Sequence, residues 1–185
     1  PGPLPGPINF KNVRIGVPIC EDVWTPDVVE CIAETGGELL LVPNGSPFEV
    51  GKSDMRIHHA VARVVESGLP LVYLNQIGGQ DELVFDGGSF VMNADRNLAW
   101  QMPAWREDLA ITHWNRTGNT WQCQQGKTCN IENGLSAIYQ AMTVGLRDYV
   151  NKNGFPGVIL GMSGGIDSAI SAAVAVDALG PERVH

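Results

Sequence analysis

The 185-residue chain is 44% hydrophobic, with a formal net charge of −8 and a pI near 4.8, a composition that allows a buried core in one or two domains. The acidic balance, with no basic stripe, excludes a nucleic-acid backbone as partner, because such binding rests on cationic side chains that release counterions. No apolar run approaches the roughly 18 residues of a membrane span, and the opening PGPLPGPINF lacks the charged and apolar regions of a secretion signal, so a soluble, cytoplasmic protein with reduced cysteines is expected.

Residues 13–19, VRIGVPI, are rich in β-branched side chains and read as a buried strand that delivers Cys20. The following TPDVVECIAETGG offers Thr25 as N-cap, Pro26 as first helical residue, Val28, Val29 and Ile32 on one face, and Gly36 as terminator. ELLLVP and PLVYLN repeat the strand pattern. Between them, Ile57, Val61, Val64 and Val65 fall at helical spacing between Ser53 and Gly68. This alternation implies a layered α/β sheet. After Asn75 the pattern changes to short apolar runs separated by Gly-Gly, Asp-Gly-Gly and Asn-Ala-Asp turns, which read as antiparallel hairpins.

DLAITHW, residues 108–114, reads as one more strand, and the polar stretch 115–130 as an interdomain linker. Cys123 and Cys129 in that stretch are separated by five intervening residues in CQQGKTC, more than the two to four usual in a zinc half-site, and no His pair follows. Trp100, Trp105, Trp114 and Trp121 are expected to cover surface and linker contacts. A second unit then opens with a helix whose stripe is Leu135, Ile138, Met142, Leu146, Tyr149 and Val150, followed by a strand over 158–160 and the loop GMSGGIDS.

That loop has two readings. Gly161, Gly164 and Gly165 let backbone approach an anion, Ser163 and Ser168 supply hydroxyls, and the helix start near Asp167 aims free N–H groups at the same place. Tight packing of a helix on a sheet also selects glycine. No Walker lysine is present. Cys20 likewise reads either as a buried small hydrophobe or as a thiolate nucleophile at the mouth of a turn. Ser46 and Lys52 read as a turn cap and a solvated cation, or as substrate contacts. Glu21 and Asp22 either orient a substrate or cap the next helix. His58 and His59 are adjacent, face different directions and cannot form an i, i+4 metal pair, and Cys31 sits on an apolar helix face.

SGGIDS resembles the signature of the ATP pyrophosphatases. PICEDVW, followed by NGSPFEVGK and YLNQIGGQDELVFDGGS, resembles the nitrilase-like glutaminase domain of the glutamine-dependent NAD synthetase family, and the order of the two units is that family's order. The resemblance implies a nitrilase-like αββα sandwich portion over 1–114, a linker over 115–130, and over 131–185 the start of a parallel-sheet nucleotide-binding domain of the adenine nucleotide alpha hydrolase type. It implies Cys20 as nucleophile on the glutamine amide, Ser46 and Lys52 as glutamine contacts, and Gly161, Met162, Ser163, Gly164, Gly165, Ile166, Asp167 and Ser168 as the ATP loop, with Asp167 on Mg²⁺. Ammonia would pass to deamido-NAD in an ATP-dependent amidation, and the family suggests a homo-oligomer.

A nitrilase-type site also uses a Glu base and an oxyanion-stabilising Lys carried before the nucleophile, whereas the residues preceding Cys20 contain Lys11 and Arg14 but no Glu. A piece from the middle of a longer two-domain enzyme is therefore expected. The alternatives are a nitrilase-fused amidotransferase with a different acceptor, or a non-catalytic binding piece.

Overall fold

The computed structural model describes residues 2–185. In chain order the first unit contains β1 (Ile8–Phe10), β2 (Val13–Gly16), α1 (Asp27–Glu34), β3 (Leu39–Asn44), α2 (Lys52–Ser67), β4 (Leu71–Asn75), β5 (Ile77–Gln80), β6 (Leu83–Asp86), β7 (Phe90–Met92), β8 (Leu98–Gln101), β9 (Trp114–Thr117) and β10 (Thr120–Cys123). α3 (Gly134–Lys152) and α4 (Ile166–Leu179) follow. Six strands form a mixed sheet in the order β1-β2-β3-β4-β7-β8. β2, β3 and β4 run parallel through the α1 and α2 crossovers; β7 pairs antiparallel with β4 after the β5–β6 excursion, and a short hairpin adds β8 antiparallel to β7.

α1 and α2 cover one face of this sheet. Val29 and Ile32 from α1 and Ala60 and Val64 from α2 meet Leu40, Val42, Leu71, Tyr73, Phe90 and Met92. Burying each of the larger aliphatic side chains stabilises the fold by about 1.5–3 kcal/mol. α1 sits very close to β2, because a Cβ on Gly16 would lie 2.4 Å from Ile32 Cγ2. The strand expected over 13–19 accordingly ends at Gly16, and Val17 and Ile19 are exposed. α1 begins at Asp27, with Pro26 rather than Thr25 at the N-cap position and no side-chain cap. Gly36, at φ 87°, ends it as expected.

The buried stripe of α2 is rotated from the expected one. Val64 is fully buried, but Val65, one residue and about 100° away, is 58% exposed, and Arg56 and Arg63 occupy the inner face with Ala60. Arg63 is tolerated there because its guanidinium donates to the Val23 carbonyl and to Glu66.

The hairpins expected after Asn75 are present as β5–β6 and β7–β8. Residues 108–113 are not a strand, since Leu109 and Ile111 project into solvent with no neighbour to pair. Within the polar stretch, β9 and β10 instead form a hairpin turning near Gly118, at φ 63°. The Asn93 side chain brackets Cys123, accepting from its amide at 2.8 Å and donating to its carbonyl at 3.0 Å, and Cys123 packs with Val91 and Ala99.

α3 leans on the β5–β6 hairpin through its small residues. A Cβ on Gly79 would lie 3.0 Å from the Gly145 Cα, and one on Gly145 would lie 3.0 Å from Val84. The Gly79 amide donates to Asp148, and Lys152 donates to the Gly79 carbonyl. The buried positions of α3 are therefore Ala137, Val144 and Val150, whereas the expected stripe members Leu135, Met142 and Tyr149 are exposed. α4 packs against α3, and Tyr139 donates to Asp177 between them at 2.7 Å. The strand expected over 158–160 is reduced to a parallel bridge between Val158 and Val184.

Candidate active site

The three parallel strands end on the same side of the sheet, and each delivers a polar residue there: Cys20 lies four residues past the last residue of β2, Ser46 two past the end of β3, and Asn75 is the last residue of β4. The carboxyl ends of parallel strands are where open α/β sheets place ligands. Cys20 opens a 3-10 turn over Cys20–Val23 and has φ 50°, a left-handed conformation that a non-glycine residue adopts at a cost. The turn is held by Asp22, whose carboxylate accepts the Ile19 amide at 2.8 Å while its own amide donates to the Ile19 carbonyl at 3.1 Å. Asp22 thus fixes the cysteine turn, not the helix after it, and Glu21 is exposed.

Ser46 is buried in a polar knot. Its hydroxyl accepts from Arg56 Nε at 3.0 Å, its carbonyl from Arg56 Nη2 at 2.8 Å, and its amide donates to Asn75 Oδ1 at 3.0 Å. Arg56 is itself buried and pairs with buried Asp86 at 2.8 Å. Asn75 Nδ2 donates to the carbonyls of Ser46 and Gly87. Burial raises the pKa of Tyr73, an effect partly offset by the Arg56 charge and a hydrogen bond to Ser46, while the nearby Cys20 and Asp86 push it further up. Val23, Trp24, Ser46, Lys52, Arg56 and Tyr73 line a small pocket here. Lys52 reaches its rim and pairs with Glu49 at 2.5 Å. His59 is taken up in a stack with Trp24, ring centroids 6.0 Å apart.

The second constellation is the loop before α4. Residues 161–167 are exposed, Gly164 has φ 82°, and Gly165 occupies the N-cap position without a side-chain cap. The first-turn amides of α4 therefore lack a capping partner. Ser163 and Ser168 hydroxyls lie 3.1 Å apart, and Ser168 also donates to the Gly165 carbonyl at 2.9 Å. Met162 and Ile166 project into solvent, so they contribute backbone rather than side chain to the loop. The donor set fits an anion: open backbone, two hydroxyls and a helix start. Asp167 stands in the first turn as the one carboxylate there, which suits Mg²⁺, an ion commonly held by one or two carboxylates plus substrate phosphates.

Sequence reasoning placed Cys20, Ser46 and Lys52, and the structure brings Ser46 and Lys52 to one pocket beside the Cys20 turn. It missed Arg56, Asp86, Asn75 and Tyr73. The available signal was Arg56 itself, which falls in register with Ala60 and Val64 on the inner face of α2; a charge at such a position requires a buried partner.

A layered sheet that carries Cys20, Ser46 and Asn75 at or just past the ends of three parallel strands is an α/β architecture of the class that holds ligands at its strand ends. Residues 3–122 match the family model described as carbon-nitrogen hydrolase, and the chain belongs to that family. Residues 138–185 match the model described as NAD synthase.

The chain is similar to the glutamine-dependent NAD(+) synthetase of Rhodobacter capsulatus, 47% identical over 184 residues that cover 100% of this chain and 33% of that one. To the enzyme of the same name from Acinetobacter baylyi it is 40% identical over 182 residues, 96% of this chain and 32% of the relative. Among solved structures, a glutamine-dependent NAD+ synthetase from Acinetobacter baumannii in complex with adenosine diphosphate matches with TM-score 0.89 and 41% identity, covering 97% of this chain and 34% of that one. The chain thus spans about a third of the length of the curated relatives it matches. Among the described residues, no helix is long and apolar enough to cross a membrane.

Proposed function

We infer that this chain carries the nucleophile-bearing part of a glutamine-hydrolysing NAD synthetase together with the phosphate loop of its synthetase unit. The observation that supports this most is the convergence of Cys20, Ser46 and Asn75 at the carboxyl ends of β2, β3 and β4. In this reading the Cys20 thiolate attacks the amide carbon of glutamine, the carbon–nitrogen bond breaks as the leaving nitrogen takes a proton, and a glutamyl thioester and ammonia result. Water then cleaves the thioester, returning the thiol and releasing glutamate. Ser46 and Lys52 hold the glutamine, Lys52 through charge with the substrate carboxylate.

In the second unit, residues 161–168 hold the phosphates of ATP while the carboxylate of deamido-NAD attacks the α-phosphorus and pyrophosphate leaves, and ammonia then displaces AMP from the acyl-adenylate to give NAD. Backbone amides of the loop and of the α4 start, with the Ser163 and Ser168 hydroxyls, neutralise the phosphate oxygens. Asp167 would hold Mg²⁺, which supplies charge neutralisation between the phosphates. In this reading the first working unit runs to about residue 130, because the β9–β10 hairpin and residues 127–129 pair back onto it, and 131–185 form the second, in a cytoplasmic homo-oligomer.

The test is Cys20→Ala in the full-length enzyme. Glutamine-supported NAD synthesis should be lost, and synthesis from added ammonium should persist, because the thiol is needed only to cut the amide. Normal glutamine-supported turnover in that variant would remove Cys20 from the reaction.

A further inference from the structure

Arg56 makes four hydrogen bonds from a buried position, and three of them end on one short segment. Nε donates to Ser46 Oγ at 3.0 Å, Nη2 to the Ser46 carbonyl at 2.8 Å and the Pro47 carbonyl at 3.1 Å, and Nη1 to Asp86 at 2.8 Å. Both partners of the ion pair have side chains only 7% exposed. Placing two charges out of water opposes folding, and apolar side chains of the same volume commonly serve stability as well or better. Such a pair on the inner face of α2 therefore points to a demand for geometry.

That demand falls on the Ser46 hydroxyl. A serine hydroxyl has one proton to give and can accept twice. Arg56 donates to the oxygen, and the Ser46 main chain is clamped by Arg56 and Asn75. The protonated Tyr73 phenol beside it can fill the second lone pair, so the hydroxyl proton is left for a ligand entering the pocket. We propose that Arg56, locked by Asp86, is a positioning residue that makes Ser46 a hydrogen-bond donor toward the substrate. Ser46 would then select an acceptor atom of glutamine, a carboxylate or amide carbonyl oxygen, and disfavour the ammonium or the amide NH₂ at that point. Lys52, at the rim of the same pocket, also presents only protons. The two together define a subsite for an oxygen-bearing anionic group.

This inference rests on the glutaminase reading above, and the experiment separates the two. In the full-length enzyme Arg56→Lys keeps the charge but cannot donate in three directions from one plane. The glutamine KM should rise about tenfold while ammonium-supported turnover stays within about twofold. In a Ser46→Ala background, where the hydroxyl is already gone, Arg56→Lys should change the glutamine KM by less than about twofold. An unchanged KM in Arg56→Lys, or the same fold increase in both backgrounds, overturns the proposal, since a merely structural role is indifferent to the hydroxyl.

If Arg56→Lys also loses ammonium-supported turnover, Asp86→Asn is read in the same way. A raised glutamine KM at preserved ammonium turnover supports the proposal. An unchanged KM, or loss of both activities, makes the pair a folding element and overturns it. Glutamine turnover that survives Cys20→Ala defeats the glutaminase reading itself.

Discussion

The carboxylate of Asp148 accepts the Gly79 amide proton at 2.8 Å, joining α3 to β5 across 69 residues of sequence. One helical turn later, Lys152 donates to the carbonyl of the same glycine. Both main-chain groups of one residue are thus engaged by Asp148 and Lys152, which lie in the region that matches the NAD synthase model. Asp148→Ala leaves the Gly79 donor unpaired in a partly buried place, at a cost of about 1–3 kcal/mol. The variant should show faster hydrogen exchange at Gly79 and a lower Tm, with glutamine chemistry altered less than stability. Unchanged exchange at Gly79 would mean that the contact does not persist in solution.

Asp22 makes a second prediction. Its carboxylate closes the turn that holds Cys20 at φ 50°. Asp22→Ala removes an interaction worth about 1 kcal/mol and lets the thiol wander, so glutamine kcat should fall by about ten- to a hundredfold. Asp22→Asn keeps an acceptor oxygen and should recover most of that loss. Equal damage from both substitutions would indicate that the charge, not the turn, matters.

Lys52 and Glu49 are paired, but unequally exposed, at 14% and 63%. A substrate carboxylate reaching Lys52 must compete with Glu49 for the same ammonium group. Glu49→Gln should therefore lower the glutamine KM by about two- to fivefold, the scale of an exposed ion pair, and Lys52→Ala should raise it. A higher KM in Glu49→Gln would assign Glu49 to substrate binding instead.

The loop before α4 can be probed through two glycines with different physics. Gly165 is in an extended conformation, and an added Cβ would meet only Ser163 Oγ at 3.5 Å. Gly165→Val should leave the fold intact yet crowd an incoming phosphate, abolishing synthesis from both nitrogen sources. Gly164, at φ 82° with open space around it, resists substitution through backbone strain of about 1–2 kcal/mol, so Gly164→Ala should lower both activities and local order together. Normal ammonium-supported synthesis in a folded Gly165→Val enzyme would exclude this loop as the ATP site.

Tyr73 carries a pH signature. Burial raises its folded-state pKa above the usual 10.0, so the phenol holds its proton more tightly in the folded chain than in the unfolded one. The stability linked to that proton is complete below about pH 10 and is lost as pH rises through the higher folded value. Tyr73→Phe should flatten the decline of stability above pH 10 in denaturation measured across pH. An identical alkaline slope in both proteins would contradict the assignment.

Much of this architecture was legible because local pattern and tertiary role agreed. ELLLVP and PLVYLN became β3 and β4, and Gly36 and Gly68 ended their helices. The errors came where a neighbour in space decided. Val65 has the hydrophobicity of a core residue, but Arg56 and Arg63 took the inner face because Asp86, Ser46 and Val23 supply their partners. In α3 the apolar Leu135 and Met142 are exposed while Gly145 makes the contact, since a glycine-rich hairpin admits only a small residue at that distance. The Cys20, Ser46 and Lys52 assignments came from motif resemblance. The network behind Ser46 joins residues 46, 56, 75 and 86, and no local window of sequence contains it.

The grip of α3 on Gly79 also bears on how such an enzyme can be taken apart. Gly79 lies on β5, which belongs to a two-stranded sheet with β6, and an uncovered strand is a template for pairing with another chain. α3 occupies that position, so it serves the first unit as an edge cover while leading into the loop of the second. A first unit expressed without α3 would carry a bare, glycine-containing strand, prone to strand exchange with its own copies. The boundary suited to dissection therefore lies after the helix, where cutting leaves the edge protected.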